Sequence, residues 1–240
     1  MKHIITQYSM AGALLSGYNN SNSYHISQLV DQHNFGLGTF NQLDGEMVMI
    51  HGKVYHTTKN GETHRVSDSS TRIPFAVACN HSMQKRNIKT MTNMDMKKFE
   101  EYVHQEGVPP NSIASISIQA RFKQLEGRAV CKVKSHASLL TATNVQSNFT
   151  EKDVSGYLIG FCFPDFMPTI NVPGLHLHFI SNDRTLGGHI TGFCVDKADV
   201  IIHIADRLEI ILPHDNSWKN TKIPIDPSKS LAKAERKRAA

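Results

Sequence analysis

The sequence predicts an α+β protein: a mixed-sheet N-terminal lobe with helices, packed on a mostly antiparallel β lobe at the C-terminal end. Three observations carry that prediction. Over residues 1–150, segments with apolar residues three and four apart are interleaved with short apolar runs. Over residues 151–240 the apolar runs are short, alternate with polar residues and are parted by turn-forming clusters. Residues 141–153 are polar and read as a crossing loop, which divides the chain into lobes at 1–150 and 151–240.

The elements follow in order. Ser9 is placed to cap a helix over 10–15, with Gly17 just past its end, and Ile26, Leu29 and Val30 give a second short helix its apolar face. The opening thus reads as two helices joined by the loop 18–23. Residues 35–40 enter a strand, Asp44-Gly45 marks a turn, and 47–50 pairs with 54–57 across His51-Gly52-Lys53. Residues 75–78 form a short buried strand, while 79–91 reads as a surface loop. Thr92-Asn93-Met94-Asp95 has the form of a helix start, and Met96, Phe99 and Val103 follow at helical spacing until Gly107 and Pro109-Pro110. Strands are expected at 113–122, 128–134, 157–163, 175–180, 189–195, 200–204 and 208–212. Residues 229–238 concentrate basic charge and read as a solvated terminal helix.

Composition narrows the class. At 240 residues, 40% hydrophobic and 20% charged, the chain can bury a core without staples. Cys79, Cys131, Cys162 and Cys194 lack any Cys-X-X-Cys spacing and read as buried thiols of a reducing compartment. The first residues carry no secretory apolar core, and no stretch approaches membrane-spanning length, so a cytoplasmic location is expected. The net charge is +5, but no basic stripe with interleaved aromatics is present. Neither a nucleic acid nor a membrane is therefore expected as a partner.

One segment points to chemistry. In Pro173-Gly174-Leu175-His176-Leu177-His178-Phe179 a strand would turn His176 and His178 to one face and the apolar residues to the other. The polar stretch 181–188 ends in two glycines and suits a hairpin return, which would bring His189 beside the pair. Three imidazoles from two adjacent strands make a metal site with open positions, as a Lewis-acid zinc enzyme needs. With 14 histidines in 240 positions, chance supplies roughly one His-X-His. The bland alternative is a half-solvated histidine face on an antiparallel sheet. The apolar strand around the pair and the following Gly-Gly-His favour the metal.

Gly38-Thr39-Phe40-Asn41-Gln42-Leu43-Asp44-Gly45-Glu46, followed by Val172 through Ile180 and by Gly187-Gly188-His189, resembles the alpha-acetolactate decarboxylase family. The resemblance runs from Tyr8 to the neighbourhood of Arg236. It implies zinc ligands at His176, His178 and His189, an acidic group near the metal at Glu46, and the threonine seven positions earlier at Thr39. It also implies an arginine lining the site at Arg128, a glutamate reaching in from the C-terminal tail at Glu235, and a homodimer. The chain departs from the family pattern around the arginine. Relatives carry Lys-X-Arg-Thr/Ser-Val-Pro and then Pro-Tyr-Pro, whereas here Glu126-Gly127-Arg128-Ala129-Val130-Cys131 leads to Ser135-His136-Ala137-Ser138-Leu139. The segment 79–91 diverges too.

The reaction that the resemblance implies is decarboxylation of 2-acetolactate to acetoin and carbon dioxide. Departure of carbon dioxide leaves an electron pair beside a ketone, an enediolate, and zinc on three neutral imidazoles would keep its double charge to stabilise it. Arg128 offers a planar donor fork to a carboxylate or carbonyl oxygen. Glu46 or Glu235, protonated in a water-poor site, would return the proton, with Glu46 preferred for its rigid place at a strand start. Taken singly, each residue has a plainer account. Glu46 would be a turn residue, Arg128 an exposed-face charge, Glu235 a helical ion-pair partner and Thr39 an ordinary strand residue. Two rival readings stand beside the decarboxylase: another three-histidine zinc enzyme such as a hydrolase, and a binding module with structural zinc.

Overall fold

Strand β1 (Ile4–Tyr8) opens the chain and is followed by helices α1 (Ala11–Leu15) and α2 (Ile26–Val30). Then come β2 (Phe35–Thr39), β3 (Glu46–Ile50), β4 (Lys53–Thr57), β5 (Thr63–Arg65) and β6 (Phe75–Cys79). Strand β7 (Lys89–Asp95) runs into α3 (Met96–Tyr102), and the long strand β8 (Ala114–Ala129) follows. Helix α4 (Leu139–Asn144) precedes β9 (Ser147–Phe163), β10 (Gly174–Ser181) and β11 (Gly187–Ile204). The last elements are β12 (Arg207–Ile211), α5 (Asn216–Asn220) and α6 (Ser228–Glu235). This computed structural model describes the backbone of residues 2–235 and the side chains of all of these but Arg86 and Glu235.

The strands make two sheets. One has the order β12-β1-β6-β2-β3-β4-β5, antiparallel except for the parallel pair β1/β12. The other has the order β10-β9-β8-β11-β7, and β10 also pairs with the first residues of β11. That extra pairing closes β10, β9, β8 and β11 into a ring. Between the sheets, Phe35, Leu37, Val48 and Val77 meet Ile159, Phe161, Phe163 and Ile180. On the far side, Leu177, Phe179 and Phe122 pack with Phe99 and Val103 of the α3 region. Strand β10 thus sends Leu177 and Phe179 into one core and His176, His178 and Ile180 toward the other sheet, as the period of two requires.

Several expectations need correction. A strand precedes the two N-terminal helices, because buried Gln7 hydrogen-bonds the carbonyls of Ser9 and Ile170 and accepts from Asn171. Met10, not Ser9, is the residue before α1, and Ser9 sits at φ 66°. The cap of α3 is Asp95, whose carboxylate accepts from the Lys98 amide, while Thr92 lies inside β7. The strands expected at 113–122 and 128–134 are one strand, β8, continuous through Lys123, Gln124 and Glu126; 130–134 lies beyond it. Those at 189–195 and 200–204 are likewise one strand, β11, with register shifts between Ile190 and Gly192 and between Cys194 and Ala198. The stretch 141–153 is no crossing loop: it contains the end of α4 and the start of β9. Strands β7 and β8 belong to the histidine-bearing sheet and β12 to the other, so the sheets do not divide at residue 150. Only Cys79 and Cys162 are buried, and burial pushes both thiols up to about 12. Among the described residues no helix is long and apolar enough to cross a membrane.

His81 makes the sheet packing pH-sensitive. Its ring stacks on Phe35 at 4.3 Å between centroids, and its two nitrogens bond the Ser115 and Ser117 hydroxyls. Burial first, then the neighbouring His203 and His3, lowers its pKa to about 3. In the unfolded chain His81 binds a proton near pH 6.5, whereas the folded protein refuses it until about 3. Its contribution to stability is therefore complete above pH 6.5 and is lost as pH falls toward 3, at up to about 1.4 kcal/mol per pH unit. Urea unfolding at pH 7 and pH 5 should show a smaller loss for His81→Leu than for the parent. Equal losses would place the sensitivity in other histidines.

Candidate active site

The site is built where the ring closes. In the ladder between β10 and β11, His178 and His189 are direct partners, followed by Phe179–Gly188 and Ile180–Gly187. Partners in an antiparallel pair share a face, and His176 lies two residues back on that face. The three ring centroids stand 5.0–5.5 Å apart, and one nitrogen from each ring lies within 4.8 Å of the other two. Among the described residues this is the one such group of three His, Cys, Asp or Glu side chains.

The two glycines serve close packing more than the turn. A Cβ on Gly187 would stand 2.4 Å from the Thr57 hydroxyl, and one on Gly188, where φ is 147°, 2.6 Å from the Phe149 ring. The turn itself is tied by Asp183, which accepts from the Ser181 hydroxyl and from the amide and hydroxyl of Thr185.

Strand β3 supplies the carboxyl group. Val48, Ile50 and Glu46 share the face toward the second sheet, so Glu46 reaches the histidines from across the interface. Its Oε2 lies 3.5 Å from His178 Nε2, and its Oε1 accepts from the Val130 amide at 3.3 Å. Two side chains fix the turn before it. The Thr39 hydroxyl donates to the Gly45 carbonyl at 2.8 Å, and His56 Nε2 donates to the Asp44 carbonyl at 2.6 Å. Gly45 is at φ 76°, where a Cβ would strike the Thr57 carbonyl at 2.0 Å. Thr39 is the cross-strand partner of Glu46.

Arg128 enters from β8, opposite His189 in the register. It is 3% exposed, and its Nη1 donates to Gln146 Oε1 at 2.9 Å. Together with apolar Ala11, Leu14, Leu43, Phe75, Val130, Leu139 and Val172, these groups line one narrow cavity. Helix α6 packs Leu231 and Ala234 against the same apolar group. Glu235 is the last residue of that helix, and its side chain lies outside the described residues.

The histidines fit a metal. The Met47 carbonyl can only accept, so His178 Nδ1 carries the proton of their 2.9 Å bond and Nε2 is a bare lone pair. That lone pair faces a Glu46 oxygen, an arrangement of two acceptors that a proton or a cation between them would relieve. Burial first, helped by the Arg128 charge and opposed by the Met47 bond, lowers His178 to about 4. Burial, then His178 and Arg128, holds His176 well below the ordinary histidine value. Both rings are neutral at physiological pH, the form that binds metal. A model of the alpha-acetolactate decarboxylase family matches residues 5–224. The chain belongs to that family.

Relatives in the alpha-acetolactate decarboxylase family share much of the chain. The alpha-acetolactate decarboxylase of Brevibacillus brevis is 30% identical over 239 residues, which cover 99% of this chain and 82% of that protein. The one from Raoultella terrigena is 31% identical over 226 residues, covering 93% and 85%. The crystal structure of alpha-acetolactate decarboxylase from Bacillus subtilis strain 168 superposes with a TM-score of 0.91 at 26% identity, covering 98% of this chain and all of that one. The family is one of carboxy-lyases, and this chain is an enzyme of it. Of the residues singled out in the sequence, His176, His178, His189, Glu46, Arg128 and Thr39 all border one cavity. Sequence reasoning missed the Val130 amide, the Met47 carbonyl, His56 and Gln146. The first two are backbone groups without a sequence signal; the latter two sit in segments that carry no motif.

Proposed function

We propose that this enzyme decarboxylates 2-acetolactate, releasing carbon dioxide and a single enantiomer of acetoin. The observation that carries the reading is three buried imidazoles, a guanidinium and a carboxyl group around one narrow apolar cavity in an alpha-acetolactate decarboxylase chain. Zinc held by His176, His178 and His189 would supply Lewis-acid stabilisation for negative charge developing on the substrate's ketone and hydroxyl oxygens.

The chain's own groups do the rest. Arg128 binds the substrate anion through its fork, in surroundings where water is scarce and its charge acts strongly. Breaking the bond to the carboxylate carbon leaves an electron pair on the substrate, and one proton must return to the carbon that lost it. Acetolactate plus that proton equals acetoin plus carbon dioxide. Glu46 holds the proton: the Val130 amide anchors Oε1, and Oε2, the oxygen facing His178, carries and delivers it. Thr39 and His56 keep the strand start that aims this carboxyl group. The apolar walls exclude water, so delivery comes from one face and sets the product's configuration. Glu235, at the end of α6, is the second carboxyl group that the family resemblance assigns to this site.

The test is direct. Zinc-loaded protein mixed with racemic 2-acetolactate should release acetoin far faster than spontaneous decarboxylation, and the acetoin should rotate polarised light. Acetoin at the spontaneous rate alone would turn the reading toward a zinc hydrolase.

A further inference from the structure

Arg128 borders two spaces at once. It lines the metal cavity, and with Gln146, Asn148 and Thr143 it lines a polar cleft outside it. Gln146 stands in the short connection between α4 and β9 and is half-buried. Its amide oxygen accepts from Arg128 Nη1 at 2.9 Å, and its amide nitrogen donates to Asn148 Oδ1 at 3.1 Å. Asn148 is itself the register partner of Arg128 in the β8/β9 ladder. The relay thus begins and ends on one register pair, and it holds the guanidinium from the cleft outside the cavity.

The chemistry of position 146 matters because its group is neutral. An amide oxygen orients the fork without subtracting from its charge. A carboxylate there would accept the same bond and add a full negative charge within hydrogen-bond distance of the guanidinium. It would then compete with an incoming anion for the same field.

We propose that Gln146 is a positioning residue that keeps Arg128 oriented without adding negative charge beside it, and so favours substrates bearing a carboxylate over neutral hydroxyketones and diols. The identity of that anion as a 2-hydroxy-3-keto acid rests on the decarboxylase reading above.

Two near-isosteric variants of the zinc-loaded chain separate charge from packing: Gln146→Glu and Gln146→Met. Gln146→Glu should raise KM for 2-acetolactate by roughly tenfold or more, with kcat changing by less than KM. Gln146→Met, which loses the acceptor but adds no charge, should raise KM by only a few-fold. Ligand binding gives a readout apart from turnover. 2,3-Dihydroxy-2-methylbutanoate keeps the carboxylate but has no ketone and cannot react, and 2,3-butanediol lacks the carboxylate as well. Gln146→Glu should weaken the anion on the order of tenfold and leave the diol unchanged. Equal weakening of both ligands, equal effects of the Glu and Met variants, or no effect of Gln146→Glu would overturn the proposal. A parent protein that makes acetoin while Gln146→Glu matches it sinks this inference alone. A parent that makes no acetoin and binds neither ligand sinks the decarboxylase reading and this inference with it.

Discussion

His176→Ala is expected to remove both the metal and the activity. The three imidazoles offer one nitrogen each within 4.8 Å of the others, and two remaining ligands are too few for a zinc site that must also receive substrate. Glu46 Oε2 stands 3.5 Å from His178 Nε2, but in the proposed reaction that oxygen carries a proton, and a protonated carboxyl group is a poor replacement for an imidazole ligand. Zinc measured by mass spectrometry should fall to a small fraction of one per chain, and acetoin release should drop by about a thousandfold or more. The ring should stay closed, because the ladder from His178 to Ile180 does not involve residue 176. A metal-stripped His176→Ala protein with full turnover would end the Lewis-acid proposal.

The opposite pattern is expected for Glu46→Gln and Arg128→Ala: metal retained, turnover lost. Glutamine preserves the shape of Glu46 and still offers an oxygen to the Val130 amide, but it has no proton to give. Its kcat should fall by about a hundredfold to ten-thousandfold, the usual weight of a general acid, and the acetoin that still forms should lose optical purity. Arg128→Ala removes the group proposed to bind the substrate's carboxylate and frees Gln146 from its 2.9 Å bond, so KM should rise as kcat falls. Parallel zinc assays decide the roles. If Glu46→Gln lost zinc as fully as His176→Ala, Glu46 would be a ligand and the proton would have to come from elsewhere.

How far the sequence reached can be told from particular residues. The alternation along 175–180 put His176 and His178 on one face, and the structure brings His189 beside His178 as its ladder partner. The hairpin 47–57 was equally legible, since His51 and Gly52 take the positive φ that its turn demands. Long strands were not. Lys123, Gln124 and Glu126 interrupt the apolar pattern of β8, yet flanking β9 and β11 supply its hydrogen bonds and the strand runs on. In β11 the exposed Asp196 and Lys197 sit at a register shift, where one residue has no partner and the alternation loses phase. Gln7 hid β1 because a buried amide reads as polar until its partners at Ile170 and Asn171 are known. Around the three histidines, side chains with unusual chemistry were visible from sequence. Backbone groups and the Gln146 relay were not, because their meaning depends on what lies across the ladder.

The seam that closes the ring is only three residue pairs long, and two of its members are His178 and His189. A slip of one position there would send the histidines of one strand to the wrong side of the wall and leave the Met47 carbonyl without its donor. Competence for chemistry is in this sense a proofreading mark on the threading of the barrel: a chain that zips up out of step is blank where its reactive centre should be.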